Sequence, residues 1–243
     1  AYLDADTAHL SGSTFTGDVT LTSGTTLKPL LLIKNTNADA TSGELRFAKD
    51  SASGADSDVM GLISFYGTDA SNNTEEVLAK IEGIVEEADH GAEGGQLKFS
   101  IAAHDGEMVQ GLLIEDGDAE DEVDLTLGNT TTSLVTVTGG LTAAGDIEST
   151  SDIRVKENIK PIENALEIVS KIRGVTFNKK DTPDKESVGV IAQEVEEAGL
   201  SQAVSNSRDG LKTVAYGNMV GLLIEAVKEQ QKEIDRLKEI VNA

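Results

Sequence analysis

The hydrophobic period changes near residue 150, and this change commits the chain to a composite fold. Before it, apolar residues alternate with Thr between Gly and Ser turns. Residues 10–24 set Phe15, Val19 and Leu21 in such a pattern, and residues 127–145 repeat it with Leu134, Val135, Val137 and Leu141. A period of two punctuated by turns is strand chemistry. After the change, Pro161 sits at a first helical position, and Ile162, Ala165, Leu166, Val169 and Ile172 recur at helical spacing until Gly174 stops the run. Charge divides at the same place. Residues 1–150 carry 6 Lys and Arg against 27 Asp and Glu, a net of −21, whereas residues 151–243 carry 14 against 16, a net of −2.

The acidity of the first part repels phosphate backbones and anionic membranes, so nucleic acid is not an expected partner. No long apolar run marks a membrane helix and no signal segment opens the chain, although it begins as if cut from something longer. Without cysteine there is no disulfide, thiolate site or thiol nucleophile. Five Phe, three Tyr and no Trp are a poor supply for one large core. They suit a narrow structure in which several chains share a core of small β-branched residues.

Between the two Thr-rich stretches, residues 95–101 alternate strictly, with Leu97, Phe99 and Ile101 on one face and Gln96, Lys98 and Ser100 on the other. Residues 60–66, 77–85 and 108–114 are further strands, separated by Asp, Gly and Asn clusters. The expected order is a β stalk at 1–30, an antiparallel β domain at 31–128, a second stalk at 129–150 and a small α+β domain at 151–243. In that last domain, strands are expected at 175–178, 187–191 and 211–216, with a helix at 193–198 ended by Gly199. A final helix from about 218 to 243 places Val220, Leu223, Val227, Gln230, Ile234, Leu237 and Val241 at heptad a and d positions, with only Gln230 polar. Glu233 at g and Lys238 at the following e are placed to pair between chains, as in a parallel coiled coil and hence a homo-oligomer. An amphipathic helix packed on its own domain shares the same pattern over so few heptads.

Ser151 stands five residues ahead of Lys156 at the opening of the α+β part. A serine hydroxyl becomes a nucleophile when a base takes its proton, and a neutral lysine serves in place of histidine. Neutrality near pH 7 requires desolvation or neighbouring cations, and Arg154 is a cation nearby in sequence. Spacing alone does not bring the pair together. Five residues along a helix leave them about 140° out of alignment, and along a strand they face opposite ways. Either a turn lies between them or Lys156 comes from a neighbouring chain.

The runs Ser151-Asp-Ile-Arg-Val-Lys-Glu-Asn-Ile159, Gly189-Val-Ile-Ala-Gln-Glu-Val195, Lys212-Thr-Val-Ala-Tyr-Gly217 and Leu222-Leu-Ile-Glu-Ala-Val-Lys-Glu229 resemble the successive motifs of the intramolecular chaperone domain of phage endosialidases, tailspikes and tail fibres. Ala215 stands where that family usually has an acidic residue. The resemblance covers 151–243 and implies a trimeric domain that assists folding of the β fibre ahead of it and then releases itself. Carried onto this chain, the bond cut is Thr150-Ser151, with Ser151 as nucleophile and Lys156 as base. Arg154 and Glu157 are candidate orienting residues. The implied setting is a virion tail fibre made in the host cytoplasm, a homotrimer whose β region meets a host-surface glycan or receptor.

No cofactor or metal is expected. The acidic run 115–124 lacks the glycine placement of an EF-hand loop and reads as a solvated hairpin. His90 and His104 have no second ligand at metal spacing, and Phe65 and Tyr66 read as strand packing rather than a sugar platform. Two other readings use the same motifs. One is a structural or receptor-binding fibre with a permanently attached, uncut trimerisation domain. The other, a membrane-tethered transcription factor, fits poorly with the acidity and the missing membrane helix.

Overall fold

Strand alternation in the middle of the chain builds a five-stranded antiparallel meander, β1 (Val59–Thr68), β2 (Glu75–Glu87), β3 (Gly94–Ala102), β4 (Met108–Asp116) and β5 (Val123–Leu127), in the order β1-β2-β3-β4-β5. The computed structural model describes residues 16–207 and 209–242. The chain divides into two units, Ala1–Thr142 and Ala143–Ala243.

Register makes the sheet two-faced. Ile63, Ile81, Phe99 and Leu112 are successive cross-strand partners, as are Phe65, Ala79, Ile101 and Val109. The opposite face carries Lys80 beside Ser100 and Glu82 beside Lys98. The alternation expected at 95–101 is therefore present, yet its apolar face is open within one chain: Ile101 is 59% and Phe65 51% exposed. The acidic run forms the β4–β5 turn, where Asp121 has positive φ (63°), and leads into β5, a strand absent from the sequence reading.

Of the Thr-rich stretches, 10–15 lies outside the described residues. Residues 16–30 and 129–150 hold no strand, in contrast to the stalk strands expected there. A strand exists through its ladder, and none of these backbone groups joins one within a single chain.

The second unit is assembled from two hairpins, β6 (Val175–Lys179) with β7 (Thr182–Gly189) and β8 (Val204–Asn206) with β9 (Lys212–Val214), and three helices, α1 (Ala165–Ser170), α2 (Ala192–Glu197) and α3 (Met219–Val241). Its core is Ala165, Val195, Leu200, Ala203, Leu222 and Ala226, flanked by Ile162, Ile168, Val169 and Met219. Alanines at 165 and 226 leave room for α1 and α3 to pack closely. Gly199 ends α2 with φ of 101°, and the Leu200 N–H reaches back to the Val195 carbonyl at 3.1 Å, a closure that favours glycine.

Helix α1 begins four residues later than Pro161 predicts. Asn164 adopts left-handed φ (55°) and gives no side-chain cap. The cap comes from α3 instead: the Glu229 carboxylate accepts the Ala165 N–H at 3.0 Å and the Leu166 N–H at 2.8 Å. Those two bonds, led by Leu166, hold the Glu229 carboxyl below the usual carboxylate range. A depressed folded pKa contributes stability that is present above the ordinary value of about 4.3 and is lost as pH falls through the lower folded value. Glu229→Gln is thus expected to lower Tm by about 4–8 °C at pH 7. Circular dichroism melts from pH 7 to pH 3 should show that difference shrinking toward zero in acid.

Helix α3 presents two apolar faces. Leu222 and Ala226 are buried against the unit, while Val220, Leu223, Val227, Ile234, Leu237 and Val241 are exposed. The packing on its own domain is thus present through Leu222 and Ala226, and the heptad positions stay open within one chain. Within the chain, Glu233 pairs with Arg236 at 2.6 Å and Lys238 with Asp235 at 3.4 Å, each three residues apart on the same helix.

Candidate active site

Asp152 initiates the turn that the Ser151–Lys156 spacing requires. Its Oδ1 accepts the Arg154 N–H at 2.8 Å, an aspartate side chain closing a short turn on the backbone two residues on. A single 3₁₀ turn, Ile153–Val155, follows, and the Lys156 N–H closes it on the Ile153 carbonyl at 3.1 Å. Three residues per turn, rather than 3.6, followed by extended backbone at Lys156 (φ −119°, ψ 140°), bring the lysine side chain back along the chain. Lys156 Nζ stands 2.7 Å from Ser151 Oγ in the same chain. The contact has the ammonium donating to the hydroxyl. After loss of one proton the same pair reverses, and the neutral amine accepts from the hydroxyl.

Arg154 lies at the same turn, but its guanidinium is engaged. Nε donates to both Asp152 carboxylate oxygens at 3.0 Å and Nη2 to Oδ2 at 2.7 Å. The Arg154 side chain and then its N–H hold the Asp152 carboxyl below the usual range, with a smaller contribution from the Lys156 charge. Arg154 is therefore an arginine paired to an aspartate rather than the free cation that its sequence position suggests. Glu157 is exposed and enters no ion pair among the described residues. Residues 151–161 are all exposed.

Two other cations of the unit, Arg173 and Lys212, are paired beside a groove. A groove of about 540 Å³ is lined by Arg173, Phe177, Gln193, Lys212 and Tyr216. There Arg173 pairs with Glu194, and Lys212 pairs with Glu196 at 2.8 Å. Tyr216 joins two of the sequence motifs: its hydroxyl accepts the Val190 N–H at 3.2 Å, and a Cβ at Gly189 would fall 2.5 Å from that oxygen. Glycine at 189 makes room for the tyrosine. Among the described residues no three His, Asp or Glu side chains are placed to hold a metal ion, His90 contacts Glu93 at 3.3 Å, and no helix is long and apolar enough to cross a membrane.

Sequence reasoning located Ser151 and Lys156 and missed Asp152 and Glu229. Asp152 was legible as an Asp two residues ahead of a turn N–H. Glu229 had no local signal, because its partners lie 63 and 64 residues away.

Residues 151–205 match the family model Peptidase S74, described as chaperone of endosialidase. Among solved structures, the fold is similar to the carboxy-terminal domain of the bacteriophage T5 L-shaped tail fibre with its intramolecular chaperone domain. The TM-score is 0.50 and the identity 11%, over 86% of this chain and 64% of that one. The chain thus spans less than two thirds of that structure. No curated protein matches. The segment from residue 151 to residue 205, which opens on the Ser151–Lys156 contact, is the part of the chain that is similar to the chaperone-of-endosialidase family.

Proposed function

We propose that the chain is the distal part of a phage tail fibre or spike, in which residues 151–243 drive homotrimer folding and are then released by self-cleavage at Thr150-Ser151. The 2.7 Å contact between Lys156 Nζ and Ser151 Oγ carries this reading. Lys156 takes the hydroxyl proton as Ser151 Oγ attacks the Thr150 carbonyl carbon. The Thr150-Ser151 peptide C–N bond breaks, the proton passes to the departing Ser151 amine, and an ester joins Thr150 to Oγ. Water then hydrolyses the ester, leaving a Thr150 carboxylate and restoring the Ser151 hydroxyl. The step is intramolecular and single-turnover, so proximity supplies much of the rate.

Desolvation is the remaining requirement of a lysine base. Ser151 and Lys156 are exposed in one chain, and neighbouring copies supply the cover. The open seam of α3 and the open apolar face of the β1–β5 sheet both support a trimeric assembly, since exposed apolar surface on this scale calls for partners. A β fibre rich in non-local pairing folds slowly, and a terminal coiled coil sets stoichiometry and register first. Cleavage then leaves the fibre on the virion, its β region facing a host-surface glycan or receptor. Support for that last role is the position of the β region beside the chaperone.

Intact mass of freshly purified chain, with native mass for stoichiometry, tests the proposal. The expected products are a trimer of fragments ending at Thr150 and a released fragment beginning at Ser151. A chain that stays whole while trimeric instead assigns a fibre with a permanently attached trimerisation domain.

A further inference from the structure

We propose that Asp152 is a positioning residue for the Ser151–Lys156 pair, and that Arg154 balances its charge so that the carboxylate does not hold Lys156 in its protonated form. This rests on the self-cleavage reading above. Asp152 is the one side chain that fixes the turn between nucleophile and base, through its bond to the Arg154 N–H at 2.8 Å. The same carboxylate is gripped by the Arg154 guanidinium through three contacts of 2.7–3.0 Å. Within one chain and among the described residues, 151–161 are exposed, and the charged groups at the turn beside Lys156 are Asp152, with Arg154 bound to it, and Glu157.

Stability does not account for this arrangement. The Arg154 side chain is 85% exposed, and pairs of that kind add little to folding. The core of the unit lies elsewhere, at Ala165, Val195 and Leu222. Geometry does account for it, because a displacement of about 1 Å at a reacting pair costs on the order of 10²-fold in rate. Electrostatics account for Arg154. A bare carboxylate near the amine favours the ammonium, and a bare guanidinium disfavours it.

The test is a time course of self-cleavage in the full chain, read by intact mass between pH 6 and pH 10, for wild type, Asp152→Ala, Asp152→Asn and Arg154→Ala, with Ser151→Ala as the uncut control. Asp152→Ala is expected to lower the plateau rate of cleavage ~10- to 100-fold. Asp152→Asn keeps an acceptor for the Arg154 N–H and recovers most of that loss. The pH of half-maximal rate moves in opposite directions: down by up to about one unit in Asp152→Asn, where the guanidinium is left uncompensated, and up in Arg154→Ala, where the carboxylate is. Circular dichroism melts of all variants should match wild type. Wild-type rate and pH profile in Asp152→Ala, with cleavage intact, would overturn this inference alone. A wild type that never cuts removes the self-cleavage reading, and this inference with it.

Discussion

Lys156→Arg is expected to leave the chain whole for days under conditions in which the wild type splits, a loss of ~10²- to 10⁴-fold in rate. The substitution keeps a positive charge and a long side chain within reach of Ser151 Oγ, which Lys156 Nζ approaches to 2.7 Å. It removes the ability to become neutral, because a guanidinium does not deprotonate in proteins. Lys156→Ala should lose the same rate, and Ser151→Ala should abolish cleavage at any pH. Comparing arginine with alanine separates a base from an electrostatic helper. If arginine retains activity, Lys156 stabilises charge at the site without moving the proton. Because residues 151–161 are exposed and outside the core, all three variants should remain folded and keep the oligomeric state of the wild type, which native mass will verify.

The second large effect falls on the core of the second unit. Leu222 is fully buried between α1 and the body of the unit, and Leu222→Ala is expected to cost about 2–5 kcal/mol, the lost transfer free energy plus the cavity left behind. That is a large share of the about 5–15 kcal/mol available to a typical domain. Val227, five residues along the same helix, is 63% exposed, so Val227→Ala should change the stability of a single chain by about 0.5 kcal/mol or less while weakening association. Urea unfolding followed by circular dichroism, at several protein concentrations, distinguishes the two. Leu222→Ala shifts the midpoint at every concentration, and Val227→Ala only where wild type associates. If both behave alike, α3 does not divide its faces between fold and partner.

Much of this was readable in the residues. Strict alternation at Leu97, Phe99 and Ile101 placed β3 and its faces correctly, because a period of two survives in any sheet with one apolar side. The strand β5 was lost because Val123 and Leu125 follow the acidic run, where charge masks the alternation. The late start of α1 was unreadable for a different reason, since the carboxylate that caps it belongs to α3. At the site, the motif placed Ser151 and Lys156 while simple helix and strand geometry kept them apart. The missing piece was one 3₁₀ turn, initiated by Asp152, that neither regular period describes. The Thr-rich stretches flanking the sheet carry a strand pattern, yet their described residues form no strand.

The bond from Glu229 to the start of α1 also sets a clock. Helix α1 cannot receive this cap on its Ala165 and Leu166 N–H groups until Glu229 has been made, 63 residues later than Leu166. At ~5–20 residues per second of synthesis, this delays completion of the unit by roughly 3–13 s. Throughout that interval the nascent chain already carries Thr150-Ser151 and all of the β region outside an unfinished domain. Translation itself thereby keeps the last unit open until 63 residues beyond Leu166 have been made.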